Sequence, residues 1–145
     1  MNERTDGPSP ARLYATLVGG TLLVVGIIGF FYSASFGSPG EVDSVFGILA
    51  INGWHNVIHI LTGALGLAVA GYAAREYALG LGVVYLIVAL WGFIIGSGES
   101  ILGIVPVNTE DNILHLLLGL LGLGAYAASP AQVTDRPVRT RGANA

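Results

Sequence analysis

The chain has 145 residues, of which 53% are hydrophobic and only 10% charged, with 22 glycines and a net charge of −3. This composition is far from that of a soluble domain and predicts an integral membrane protein. The absence of cysteine excludes disulfides, thiolate metal ligands, iron-sulfur clusters and c-type haem attachment.

Four apolar stretches follow in chain order, each long enough for a transmembrane helix, which needs about 20 residues. They predict helices at about residues 12–33, 54–74, 77–96 and 110–128, within a transmembrane domain of residues 11–128. Residues 1–10 and 129–145 contain proline, glycine and charges, and we expect both to be disordered cytoplasmic tails. The predicted fold class is therefore all-α, an integral membrane four-helix bundle.

The arginines are unevenly placed along the chain. They precede the first helix, lie between the second and third, or follow the fourth: Arg4, Arg12, Arg75, Arg136, Arg139 and Arg141. With four crossings all six fall on one side of the membrane, and the other two loops contain only acidic charges. The positive-inside rule then predicts that both termini are cytoplasmic.

The two outer loops are too apolar for free loops. Residues 42–51 and 101–107 contain mainly valine, isoleucine, leucine and phenylalanine. We expect these segments to form short interfacial helices or lids over the outer ends of the second and fourth helices.

A motif of the second helix recurs 56 residues later in the fourth. Asn56-Val-Ile-His59 is followed by Gly63 and Gly66, and Asn112-Ile-Leu-His115 is followed by glycines at the same spacing. The repeat predicts two tandem helical hairpins of parallel orientation, related by a pseudo-two-fold axis along the membrane normal. Both histidines should then lie at one depth, about one turn inside the outer surface.

One interpretation of this polar layer, formed by Asn56, His59, Asn112 and His115, is structural. The offsets within each motif follow helical periodicity, so the polar residues and glycines form one stripe facing the bundle interior. Small residues allow close helix approach in membranes, and the layer would fix helix packing by hydrogen bonds. It would also face a partner or a small ligand from outside.

The alternative interpretation is a metal site. The residue four positions before each histidine is His55 in one repeat and Asp111 in the other, on the same helix face. His55, His59, Asp111 and His115 would offer three imidazoles and a carboxylate, a set suited to zinc, copper, nickel or iron. Against this, His55 and Asp111 fall in the first helical turn, where they would be solvated or would cap the helix.

Haem b is a second redox alternative, with His59 and His115 as axial ligands and Gly63 and Gly119 leaving room for the porphyrin. Ionisable groups are absent from the helices between the histidines and the cytoplasmic side, which argues against transport. No nucleophile motif is present, so we expect no catalytic residues and a non-enzymatic role.

Three segments resemble one known family. They are His55-Asn-x-x-His59 with its following glycines, the stretch from Tyr77 to Gly92, and Asn108-Thr-x-Asp111-Asn112-x-x-His115. Over about residues 11–127 they are similar to the bacterial, mainly actinobacterial, membrane family called domain of unknown function 4383. The resemblance implies four helices in a prokaryotic plasma membrane and implies no activity. The expected partners are the lipid bilayer and a second copy or another membrane protein, with no nucleic acid.

Overall fold

Four α-helices form the body of the molecule, as predicted. The structure is a computed structural model that describes residues 7–37 and 43–130. Its helices are α1 (Pro10–Gly29), α2 (Gly53–Val69), α3 (Ala74–Ile95) and α4 (Thr109–Ala128). Most of both predicted tails, residues 1–6 and 131–145, lies outside the described residues.

The first helix is shifted relative to its predicted bounds. Ser9 caps it by accepting a hydrogen bond from the amide of Arg12, and Pro10 occupies its first turn, where the missing N–H costs nothing. It ends at Gly29 instead of near residue 33, and the amides of Phe30, Phe31 and Tyr32 then donate to carbonyls three residues earlier, as in a tightened last turn.

Three of the four helices, α1, α3 and α4, are long and apolar enough to cross a bilayer. Helix α2 has 17 residues, which at about 1.5 Å per residue gives roughly 26 Å, somewhat less than a hydrocarbon core of about 30 Å. It runs antiparallel beside α1, since Gly29 lies against Asn56 and Gly19 against Gly63. These apolar helices associate the chain with a lipid bilayer.

The segments predicted as short interfacial helices or lids are β-hairpins, so the mostly helical fold also contains small strands that an all-α class does not include. The hairpins pair β1 (Asp43–Val45) with β2 (Leu49–Ile51), and β3 (Ser100–Ile101) with β4 (Val105–Pro106), both antiparallel. Each turns through two residues of positive φ, at 56° and 72° in one and 54° and 69° in the other: Phe46, Gly47, Leu102 and Gly103. Positive φ at both central residues is typical of type I′ β-turns, which the amides of Ile48 and Ile104 close by donating to the Val45 and Ile101 carbonyls. Three residues separate the last paired positions of each hairpin. We call this end of the bundle the hairpin end.

Glycines bring the helices together in two antiparallel pairs, α1 with α2 and α3 with α4. A Cβ at Gly63 would meet the Gly19 carbonyl oxygen at 2.6 Å, and a Cβ at Gly82 would meet the Gly119 carbonyl oxygen at 3.1 Å. These glycines therefore lie at contacts between helices of one chain.

Two tyrosines join the helix pairs to each other. The Tyr14 hydroxyl of α1 donates to the Leu118 carbonyl of α4 at 2.9 Å, and the Tyr77 hydroxyl of α3 donates to the Thr62 carbonyl of α2 at 3.0 Å. Both rings belong to an apolar core at the end opposite the hairpins. Each helix pair thus supplies one donor and one acceptor to the other.

Two asparagines make a similar exchange at the hairpin end. Asn52 caps α2 by accepting from the amide of His55, and its Nδ2 donates to the Ile104 carbonyl of the other hairpin at 2.7 Å. Asn108 caps α4, and its Nδ2 donates to the Ile48 carbonyl at 2.6 Å. Each helix start is therefore linked to the hairpin that precedes the other helix by a hydrogen bond from its capping asparagine.

Candidate functional site

Three histidines meet inside the bundle near the hairpin end. His55 and His59 lie one turn apart on α2, and His115 comes from α4. One ligand-capable nitrogen from each lies within 4.8 Å of the others, and all three side chains are buried. We call this group the histidine cluster, and it contains every histidine of the chain.

The hydrogen bonds of His55 determine which of its nitrogens faces the cluster. Its Nδ1 lies 2.8 Å from the Ala50 carbonyl oxygen, which can only accept, so Nδ1 carries the proton. Its Nε2 is then unprotonated and lies 3.1 Å from Nε2 of His59. Metal-bound histidines usually donate their other ring N–H to such a carbonyl or carboxylate, which fixes the ring orientation.

Asp111, the fourth ligand suggested by the sequence, is not in the histidine cluster. It is 2% exposed, and its Oδ2 accepts a hydrogen bond from the Ala50 amide at 2.8 Å. Without this acceptor the amide of β2 would be buried and unpaired, which explains the position of the carboxylate. Ala50 therefore links His55 and Asp111 through its two backbone groups.

A cavity of about 190 Å³ adjoins the histidine cluster. Its wall contains the three histidines, Asp111, Tyr85 and apolar residues of α1, β2 and α4: Leu17, Val18, Thr21, Leu22, Val25, Leu49, Ile51, Leu114 and Leu118. Tyr85 was not among the predicted site residues. Among the described residues, its hydroxyl and Nδ1 of both His59 and His115 are buried without a hydrogen-bond partner.

The two asparagines of the predicted polar layer lie at contacts between paired helices. Asn56 is 1% exposed, rests on Gly29 of α1 and donates from Nδ2 to the Ser33 carbonyl at 2.8 Å. Asn112 is 1% exposed and rests on Gly92 of α3. The structure thus divides the predicted layer into asparagines that contact the neighbouring helix and histidines that face the cavity.

The cavity does not fit haem b. A cavity of about 150 Å³ holds one benzene ring, so 190 Å³ is far too small for a porphyrin. The space expected beside Gly63 and Gly119 is filled by Leu23 and Leu86 of the paired helices. A single ion with its nearest ligands is within the available size.

Sequence comparison gives the family. The family model described as Domain of unknown function (DUF4383) matches residues 12–128. The chain belongs to this family. The DUF4383 region includes all four helices, both hairpins and the whole histidine cluster. Comparison of this DUF4383 protein with curated proteins and with solved structures finds no match.

Proposed function

We propose that this DUF4383 protein is a non-enzymatic integral membrane protein that binds one transition-metal ion at His55, His59 and His115. The observation that carries the proposal is the convergence of three buried imidazoles with ligand-capable atoms within 4.8 Å. Metal–nitrogen bonds of 2.0–2.1 Å in tetrahedral geometry put ligand atoms about 3.3 Å apart. The 3.1 Å separation of the His55 and His59 Nε2 atoms is close to that value.

The competing explanation is a purely structural cluster in which His59 donates from Nε2 to His55. Structural polar groups in a protein interior generally have partners, since an unpaired one costs about 1–3 kcal/mol. Here Nδ1 of His59 and of His115 is buried without a partner among the described residues, beside a cavity. A direct hydrogen bond explains the approach of His55 to His59. An ion bound through Nε2 of these rings would explain in addition why His115 joins them and why a cavity adjoins all three.

Metal binding can be measured without competing cysteine or histidine ligands, because the chain has no cysteine and its three histidines are all in the cluster. The full chain, purified in detergent with a tag that contains no histidine, should retain about one Co²⁺, Cu²⁺ or Zn²⁺ after dialysis. His59→Ala and His115→Ala should each weaken binding at least tenfold, as loss of a ligand must exceed the tenfold effect of an outer partner.

Tyr77→Phe is the control, since it removes a buried hydrogen bond at the other end of the bundle. It should lower stability while leaving the metal stoichiometry unchanged. A wild-type protein that binds neither these three ions nor Fe³⁺ above background, and is merely destabilised by the histidine substitutions, would leave the cluster with a packing role only.

We also infer that the chain is built from two tandem hairpins and crosses a prokaryotic plasma membrane four times, with both termini cytoplasmic. The reciprocal tyrosine and asparagine bonds support the repeat, because equivalent donors recur at offsets of 63 residues (Tyr14 and Tyr77) and 56 residues (Asn52 and Asn108). The antiparallel contact of α2 with α1 supports a fourth crossing. The distribution of arginine supports the orientation.

The orientation predicts which positions are labelled from outside the cell. Leu102 at a hairpin turn is 73% exposed, and Tyr72 between α2 and α3 is 67% exposed. In this cysteine-free chain, Leu102→Cys should react with a membrane-impermeant maleimide in intact cells, and Tyr72→Cys only after lysis. The opposite labelling pattern would invert the proposed topology.

A further inference from the structure

Tyr85 is a buried tyrosine that lies beside the histidine cluster. It lies in the middle of α3, is 4% exposed and lines the same cavity as the three histidines. Its ring centroid is 4.9 Å from that of His115, with an interplanar angle of 54°. The phenol therefore belongs to the immediate surroundings of the histidine cluster.

The other two buried tyrosines provide an internal comparison. Tyr14 and Tyr77 each donate their hydroxyl to a backbone carbonyl, as buried tyrosines normally do. The Tyr85 hydroxyl has no partner in the part of the chain that the structure describes. Burying an unpaired hydroxyl costs free energy. A leucine at this position would fill similar space without that cost, as Leu22 of α1 does in the wall of the same cavity.

Charge gives a reason for a phenol beside this cluster. Three neutral imidazoles leave the full charge of a divalent or trivalent ion uncompensated in a low-dielectric interior, which is unfavourable. The carboxylate in the cavity wall, Asp111, has one oxygen engaged by the Ala50 amide. A phenolate would place a negative oxygen directly on the ion.

We propose that Tyr85 is the fourth ligand of the metal ion, bound as phenolate, and that the site therefore selects Cu²⁺ or Fe³⁺. On coordination the phenol O–H bond breaks, the proton leaves to solvent, and an oxygen–metal bond forms without any change of oxidation state. Mixed nitrogen and oxygen ligands suit Cu²⁺, and tyrosine is an established ligand of ferric iron in proteins. This inference rests on the proposed metal-binding function.

The test is optical and uses the wild-type full chain first. Titration with Cu²⁺, and separately with Fe³⁺ as a soluble chelate, should produce a visible phenolate-to-metal charge-transfer band. Resonance Raman excitation in that band should enhance tyrosinate ring vibrations. Metal binding in a weakly buffered solution should release one proton from Tyr85 in addition to any released by the histidines.

Tyr85→Phe should abolish the band and weaken Cu²⁺ binding at least tenfold, since loss of a ligand should exceed the tenfold effect of a supporting residue. Its fold should persist, because the substitution removes an unpaired buried hydroxyl and keeps the ring. Tyr77→Phe, which removes a paired hydroxyl, should retain the band. Wild-type protein that binds Cu²⁺ through the histidines without a charge-transfer band would overturn the Tyr85 assignment and leave the proposed function intact. Absence of all metal binding would overturn both.

Discussion

Gly63→Ala should destabilise the bundle by about 1–3 kcal/mol, the usual cost of adding atoms to a well-packed interior. The added Cβ would lie 2.6 Å from the Gly19 carbonyl oxygen and 2.9 Å from the Leu23 Cα. Both are backbone atoms of α1, so no side-chain rotation can relieve the contact and the two helices must separate. Reversible unfolding in mixed micelles of increasing denaturing detergent measures the change.

Gly80→Ala and Gly124→Ala are matched controls for this experiment. Both glycines lie inside helices, and a Cβ at either would meet no atom within 4 Å. Their replacement should be neutral or stabilising by up to about 1 kcal/mol, because alanine reduces the freedom of the unfolded chain. Equal stabilities for Gly63→Ala and Gly80→Ala would show that α1 and α2 do not pack as closely as described.

Asp111→Ala should lower the free energy of unfolding by about 1–3 kcal/mol, because it leaves the buried Ala50 amide without its acceptor. The effect should extend to the histidine cluster, since the carbonyl of the same residue orients His55. We therefore expect weaker metal binding as well as lower stability, by about tenfold, which is typical when an outer partner of a ligand is disturbed.

Asp111→Asn separates these effects from the loss of charge. Its amide oxygen can still accept from the Ala50 amide at the same position, so stability and metal affinity should stay near those of the wild type. If instead Asp111→Asn loses the metal as completely as Asp111→Ala, the carboxylate is itself a ligand and its hydrogen bond to Ala50 is broken in the metal-bound protein.

The helices could be predicted from the sequence, but the hairpins could not. Long apolar stretches identify membrane helices because lipid demands them, and the arginines and tyrosines limit where they end. The strands are only two or three residues long, and their turns place Phe46 and Leu102 at positive φ, where bulky residues are rare. Segments this short show no clear hydrophobic periodicity, so only their apolar content was available, and it was interpreted as interfacial helix.

The histidines of the site could also be predicted from the sequence, because helical spacing and the repeat both place them on the helix faces that point into the bundle. The role of Asp111 was not, since its partner belongs to a strand that was itself unpredicted. Tyr85 was not predicted as a site residue for a different reason. Its closeness to His115 depends on how α3 and α4 align along their length, and that alignment is set by glycine contacts such as Gly82 with Gly119.

The exchange of tyrosine hydrogen bonds bears on how the chain assembles in the bilayer. While only α1 and α2 are inserted, the Tyr14 hydroxyl has no access to its acceptor, the Leu118 carbonyl of the last helix. Tyr77 of α3 then reaches back to Thr62 of α2 and begins to draw the two pairs together. Since lipid offers no hydrogen-bonding partner to either group, we expect the two helix pairs to be joined by both bonds only after α4 is synthesised.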